Sequence, residues 1–414
     1  MKSIFARSIV ESNCPEHLNG KLLTAKRHIA YLTYDGLTDP LGQSQVLPYL
    51  AGLSNGDFRF TVISFEKDDA FRSIGDEIRE SCRTARITWI PLAYHKSPPI
   101  ASTLYDLYLL KRNLTQLYKT DPFEIIHCRS YVTSLAGLAF SRKYGTRFIF
   151  DMRGFWADER VEGGLWNLAN PLYRGVFRFF KRREKEFLQQ ADSIVSLTEN
   201  AAAEIRSMGI QSEHIKVIPT CADISHFDPE KISAEQRGSL RTALGIPSNA
   251  FVLMYLGSWG TWYQTREMLE FFSVLKRKRP DAILLILTPD IEAAAQPGRP
   301  DILVTKASRK DVPLYISISN VSVFFIKPSY SKKASAATKM AELMAMNVPI
   351  ISNTGWGDVE SYLDSSSLVT SFSVSEYERV IDAIPSSVES RTIASASFSL
   401  AAGIERYRDV YRSL

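Results

Sequence analysis

Strand-like apolar runs alternate with helical patterns along almost the whole chain, and this alternation constrains the fold more than any other feature. In the first half the runs are HIAYLTY (28–34), FTVISF (60–65), ARITWIPL (85–92), EIIHCRS (124–130), RFIFDMR (147–153) and SIVSLT (193–198). In the second half they are FVLMYLGS (251–258), AILLILTP (282–289), DILVTKA (301–307), VSVFFI (321–326) and VPIIS (348–352). Short apolar runs with helices between them build parallel sheets through crossover connections, so the class is α/β. A chain of 414 residues has room for two such domains. The boundary falls near KVIPTCADISHFD (216–228), where a short strand runs into a turn containing Pro and Asp. The expected spans are a loose N-terminal extension (1–26), a first parallel-sheet domain (27–215), a second (216–395) and a terminal amphipathic helix rich in Tyr and Arg (396–414).

Composition narrows the function classes. Net charge is +5, which fits an anionic ligand or a weak preference for a membrane surface and is too small to argue for nucleic acid. Cys14, Cys82, Cys128 and Cys221 share no metal-ligand or redox spacing, which points to a reduced, cytoplasmic setting. Arg7 interrupts the only apolar stretch at the N-terminus, so no signal peptide is expected. The apolar runs FVLMYLG and AILLIL are far short of a membrane span. A soluble or peripheral protein is the expectation.

Ligands of paired α/β domains bind at the C-terminal ends of the strands, so the loops there hold the chemistry. The richest is residues 321–360, VSVFFIKPSYSKKASAATKMAELMAMNVPIISNTGWGDVE. A buried strand leads into Lys327, Lys332, Lys333 and Lys339, threaded with Ser329, Ser335 and Thr338. A short helix over 339–346 follows, with Asn347 suited to a left-handed C-cap and Pro349 ending it. A cationic helix start binds anions, and Glu342, one turn in, could reach a group attached to the anion. The glycine loop with Gly355 comes next. A phosphate bearing a sugar suits these parts.

Other loops add to this. TYDGLTDPLGQSQ (33–45) turns at Asp35 and Asp39, and Gly42 allows a close backbone approach. The absence of a full GxGxxG argues against a nicotinamide cofactor. His127 ends a strand, where acid–base work or hydroxyl binding is open to it, although a lone His is more often structural. Asp151-Met-Arg153-Gly-Phe-Trp-Ala-Asp-Glu-Arg160 is dense in acids, arginines and aromatics, as sugar binding would want. A salt-bridge network is its other reading. Gly257, Ser258 and Trp259 open a loop that would admit a diphosphate. LYRGVFRFFKRREKEFL (172–188) is an apolar stripe on a basic helix, read equally as a membrane-surface helix or as a domain helix with a solvated face.

Over about 27–414 the chain resembles the retaining GT-B glycosyltransferases of group 1, family 4. The likeness is carried by TYDGLTDPLGQSQVLPYL, FDMRGFWADERVEGG, VIPTCADISHF, GSWGTWY and ATKMAELMAMNVPIISNTGWGDVE. It implies two Rossmann-like domains facing a cleft, with acceptor bound by the first, nucleotide-sugar by the second, and the last helix crossing back to the first domain. It further implies transfer of a sugar with retention from a UDP- or GDP-linked donor to a hydroxyl. The acceptor could be a carbohydrate, a lipid-linked molecule or a small molecule, and no metal or other cofactor is implied. The second acid of the family's Glu-x7-Glu maps to Glu342, on the ribose. The first maps to Ala334, and the usual Arg and Lys map to Ser258 and Tyr263, so Lys327, Lys332 and Lys339 are left to hold the diphosphate, with Arg309 in reserve. His127, Asp151 and Arg153 complete the expected catalytic set. Gly42, Gly257, Ser258, Trp259, Thr338, Glu342 and Gly355 complete the expected donor-binding set. A sugar-nucleotide epimerase and a catalytically inactive binding module are the alternatives on the same fold.

Overall fold

The computed structural model describes residues 26–414, so all but the last residue of the expected extension lies outside the described residues. The first sheet holds β1 (Arg27–Thr33), β2 (Phe58–Glu66), β3 (Thr88–Ala93), β4 (Ile125–Arg129), β5 (Arg147–Asp151), β6 (Ser193–Ser196) and β7 (Ile215–Val217). The second holds β8 (Val252–Leu256), β9 (Ile283–Leu287), β10 (Ile302–Thr305), β11 (Val321–Phe324), β12 (Ile350–Asn353) and β13 (Leu368–Val369). Strand order is β3-β2-β1-β4-β5-β6-β7 in one sheet and β10-β9-β8-β11-β12-β13 in the other. Every pairing is parallel. This is the two-domain Rossmann-like arrangement that the alternating runs imply.

Each of the eleven apolar runs contains a strand, because helices cover both sheet faces and leave the strands buried. The central strands β1, β4 and β8 are almost completely buried. Two details differ from expectation. β7 pairs with β6, so the first sheet extends two residues past the expected limit at 215. β13 is only two residues long, too short to leave a pattern in sequence.

The terminal helix spans Leu400–Arg412 and follows a separate helix, Arg391–Phe398. It lies against the first domain. Its Tyr407, Val410 and Tyr411 share a core with Ile29, Tyr31, Phe58 and Phe60. Arg27 donates to the carbonyl of Tyr411 at 2.7 Å, and Arg412 reaches Asp57 at 2.6 Å. The helix therefore ties the end of the chain to the opening strand of the sheet that it covers.

Candidate active site

The parallel register brings the ends of β4 and β5 together. Arg129 sits opposite Asp151, and on its other side opposite Thr33. Ser130 and Arg153, just past the ends of β4 and β5, and Thr261, in the loop after β8, have φ of 69°, 57° and 57°. Side chains with a Cβ rarely adopt this backbone, and such positions cluster at binding and catalytic sites.

On the first domain, Asp151 is fully buried. It faces Arg153 Nη1 at 3.8 Å and Arg129 Nη1 at 4.0 Å, and it accepts from Tyr407 at 3.1 Å. Burial pushes its carboxyl up, but Arg153, His127 and Arg129 outweigh that and hold it below the usual range. His127 is also fully buried, with Nδ1 2.8 Å from the Tyr411 hydroxyl and Nε2 3.4 Å from Asp151. Burial lowers its pKa despite the neighbouring carboxylate. The expectation that His127 faces the cleft is corrected. The terminal helix covers it, so it supports Asp151 from beneath. Arg153, 15% exposed, does reach the cavity of the first domain.

On the second domain, Ser258, Trp259 and Lys339 gather at Gly257. Its φ is +123°, and a Cβ there would stand 2.5 Å from Lys339 Nζ. Only glycine combines that backbone with so close an approach. Trp259 N donates to Asp290 at 2.8 Å, and the Tyr255 hydroxyl bonds the carbonyl of Ser258, so the loop is held from both sides. Lys339 is not at an open helix start as expected. It is buried in an aromatic box, 3.7 Å from the Tyr263 ring centre, 4.5 Å from Tyr255 and 5.5 Å from Phe324. Burial drives its pKa well down, with Glu342 pulling the other way. Such a cation is held under the loop by ring faces rather than by a carboxylate. Glu342, one turn along the helix Thr338–Ala345, is 4% exposed and accepts from Arg309 at 2.6 Å. Asn347 has φ 54°, the left-handed cap expected of it.

The remaining lysines divide. Lys327 is exposed on the loop after β11, and its backbone N–H donates to Trp262. Lys332 is buried, 2.6 Å from Glu159 and 3.7 Å from the Trp262 ring centre, so it joins the domains rather than standing free for a phosphate. Lys333 pairs with Glu204 of the first domain at 2.9 Å. The acid-rich segment 151–160 likewise follows its other reading in part. Asp158 holds Lys181 at 2.7 Å, Glu159 holds Lys332, and Arg160 lies over Trp156. Ala334, where the resemblance leads one to look for an acid, is 3% exposed and packs with the first-domain core. A carboxylate there would have to be taken out of water.

Of the other expected residues, Thr338 lines the cavity of the first domain from across the cleft. Gly355 packs against Pro328 and steadies the lysine loop. Gly42 is buried, and a Cβ on it would strike the carbonyl of Gly36, so it shapes its own loop instead of meeting a ligand. Sequence reasoning did not single out Arg129, Glu66 or Glu162, and read Asp35 only as a turn residue. Arg129 is 3% exposed, with Nε and Nη1 lacking a hydrogen-bond partner among the described residues. Asp35 lies 3.7 Å from it. Glu66 pins the 35–39 loop by accepting from Leu37 N at 2.8 Å and Thr38 N at 3.0 Å. Glu162 accepts from Ser329, Tyr330 N and Ser331 N across the cleft. A charge at a strand end was the available signal for Arg129 and Glu66; nothing in sequence marked Glu162.

Comparison with known proteins agrees with this geometry. Residues 46–226 match the family described as Glycosyltransferase Family 4. The chain is 23% identical over 277 residues to D-inositol 3-phosphate glycosyltransferase of Arthrobacter sp. (strain FB24). That alignment covers 63% of this chain and 62% of the relative, so the chain spans about three fifths of the length of the curated relative it matches. Among solved structures, a glycosyltransferase from Rickettsia africae ESF-5 superposes with a TM-score of 0.65 at 14% identity, covering 94% and 98% of the two chains. Anabaena Alr3699/HepE in complex with UDP and glucose gives 0.63 at 15% identity, covering 93% and 99%. The two parallel sheets and the returning terminal helix have the fold of these solved structures, and residues 46–226 are similar to Glycosyltransferase Family 4.

Proposed function

We propose that the chain transfers a sugar, with retention of configuration, from a UDP- or GDP-linked donor to a hydroxyl acceptor, in the synthesis of a polysaccharide, glycolipid or glycosylated metabolite. The observation that carries this reading is the buried amine of Lys339 beneath the Gly257 loop, one helical turn from Glu342 and ready to take up a proton beside an anion. A diphosphate lying over Gly257 would face a cation otherwise without a carboxylate at contact distance. Glu342 would accept from the ribose hydroxyls, with Arg309 fixing its orientation.

In the reaction, the bond from the anomeric carbon to the diphosphate oxygen breaks. A bond forms from that carbon to the acceptor oxygen, and the acceptor proton passes to the departing phosphate on the same face. Charge grows on the leaving oxygen, and Lys339 and the N–H groups of the glycine loop are placed to stabilise it. Arg129 and Arg153 line the acceptor side, with Asp151 orienting them. Lys327 is the exposed lysine left to reach the outer phosphate.

The test is calorimetric titration of UDP, GDP and their sugars, followed by nucleotide release with candidate acceptors. Binding that is lost in Lys339→Met and weakened in Glu342→Gln supports the reading. Failure of the folded wild type to bind any of these nucleotides overturns it. Conversion of the donor to an epimer without transfer would favour the epimerase alternative.

A further inference from the structure

The first domain contains a cavity of about 1370 Å³. Sites for drug-sized ligands span roughly 300–1,000 Å³, so this one is larger than a donor sugar or a simple hydroxyl acceptor needs. Its long wall is hydrocarbon, formed by Leu104, Leu107, Leu135, Leu138, Val176 and Phe180. These residues belong to the helices Ala101–Thr120, Ser130–Tyr144 and Pro171–Gln190. The surface around the cavity is also apolar. Leu104 is 63% exposed, Leu172 57% and Phe179 44%, and all three line it. A water-soluble acceptor gives no reason to keep such side chains in solvent.

The two ends of the cavity differ. One reaches Thr338 and Ala336 of the second domain, beside the helix that holds Lys339 and Glu342. Arg129 and Arg153 line that end. Arg129 is 97% withdrawn from solvent yet has two guanidinium nitrogens without a hydrogen-bond partner among the described residues. A buried donor left in that state is costly unless a ligand completes it. Asp35, 3.7 Å from Arg129, is half-exposed and available to a hydroxyl. Lys111 and Arg160 add positive charge along the wall and have no ion pair among the described residues.

We infer that the cavity holds an amphiphilic acceptor, a lipid whose hydrocarbon tail lies along the apolar wall and whose anionic, hydroxyl-bearing head sits on Arg129 and Arg153 facing the donor loop. This rests on the transferase reading and names the acceptor class for it. It also gives the apolar stripe of the basic helix Pro171–Gln190 a purpose. Its N-terminal turns line the cavity, and its C-terminal turns, with Phe187 and Leu188, are core.

The experiment uses the full chain and binding rather than transfer. Decyl phosphate below its micelle concentration is titrated calorimetrically against butyl phosphate, inorganic phosphate and decyltrimethylammonium. Affinity should rise by about fourfold per methylene buried, and the cationic head should bind at least tenfold more weakly. Gly175 lines the cavity, and a Cβ on it meets nothing within 4 Å, so Gly175→Phe is the variant chosen to put a ring into that space. That variant should lose decyl phosphate binding by tenfold or more at unchanged melting temperature and unchanged UDP affinity. Arg153→Gln should abolish the preference for the anionic head and keep the dependence on chain length.

Equal affinity for butyl and decyl phosphate, or undiminished decyl phosphate binding in Gly175→Phe, overturns the inference. So does equal binding of all four probes. UDP binding is measured in the same preparation. A protein that binds UDP and not the alkyl phosphate refutes the lipid alone, whereas one that binds the alkyl phosphate and no nucleotide refutes the transferase reading.

Discussion

Lys339 and Gly257 are locked to one another: the lysine ammonium lies 2.5 Å from the point where a Cβ on Gly257 would stand. The contact joins a loop at the end of β8 to the first turn of a helix more than eighty residues later. It places a lysine amine under the backbone and out of water, where burial disfavours its charged form. The consequences differ for stability and for binding, and this makes them testable.

Lys339→Met removes a cation from the aromatic box. Burial depresses the folded pKa, so the unfolded chain binds more protons than the folded one below the ordinary lysine value. Stability therefore rises with pH as it passes from the folded value toward the ordinary one, and at lower pH the charged lysine opposes folding. Met, similar in shape and uncharged, should raise the melting temperature at neutral pH, by about 1 kcal/mol or more in stability. The same change should weaken UDP binding by tenfold or more. A melting point that falls, with UDP affinity unchanged, would show that Lys339 serves packing alone.

A diphosphate beside Lys339 should restore its charge. Between the free and bound pKa values, nucleotide binding must take up a proton. Calorimetric titrations in buffers of different ionisation enthalpy measure that uptake. The wild type should show it and Lys339→Met should not.

Gly257→Ala forces a side chain into a left-handed backbone at φ +123° and toward Lys339. We expect a stability loss of about 1–3 kcal/mol and a larger proportional loss of nucleotide affinity. Thermal melting and UDP titration on the same sample check both. Nucleotide affinity equal to wild type would place the diphosphate elsewhere.

Tyr411→Phe deletes one hydroxyl, the partner of His127 Nδ1. A buried ring nitrogen left without a partner costs about 1–3 kcal/mol, so urea unfolding should shift by that amount. Nucleotide affinity should hold, because His127 lies on the first domain beneath Asp151 and away from the Gly257 loop. A large loss of UDP binding would refute that division of labour.

Glu162 joins the domains by accepting from Ser329, Tyr330 N at 3.1 Å and Ser331 N at 3.0 Å. Burial pushes its carboxyl up, but bonds from Ser331 and Ser329 hold it below the usual range. Its contribution is present above the ordinary carboxylate pKa and is lost as pH falls through the lowered folded value. Glu162→Gln should loosen the contact between the domains at neutral pH, seen as a larger radius of gyration in solution scattering. An unchanged scattering profile would show that other contacts hold the cleft by themselves.

The alternation of runs was enough to place two parallel sheets, because strand and helix periods are local properties of neighbouring residues. For the same reason the glycine loop at 257 and the helix carrying Lys339 and Glu342 were legible, as was the left-handed turn at Asn347. Pairing of charges was not. Lys332 and Lys339 look alike in sequence, both lysines beside a serine- and alanine-rich helix start. Folding sends Lys332 to Glu159, 173 residues away, and seals Lys339 among Tyr255, Tyr263 and Phe324. His127 likewise reads as a strand-end base until the terminal helix lays Tyr407 and Tyr411 over it. Local period and propensity belong to the sequence by itself. Which charge is solvated, paired or buried depends on residues brought together only by the packing of two domains, and that packing divides the candidate site into a sealed lysine, interdomain bridges and the arginines of the first-domain cavity.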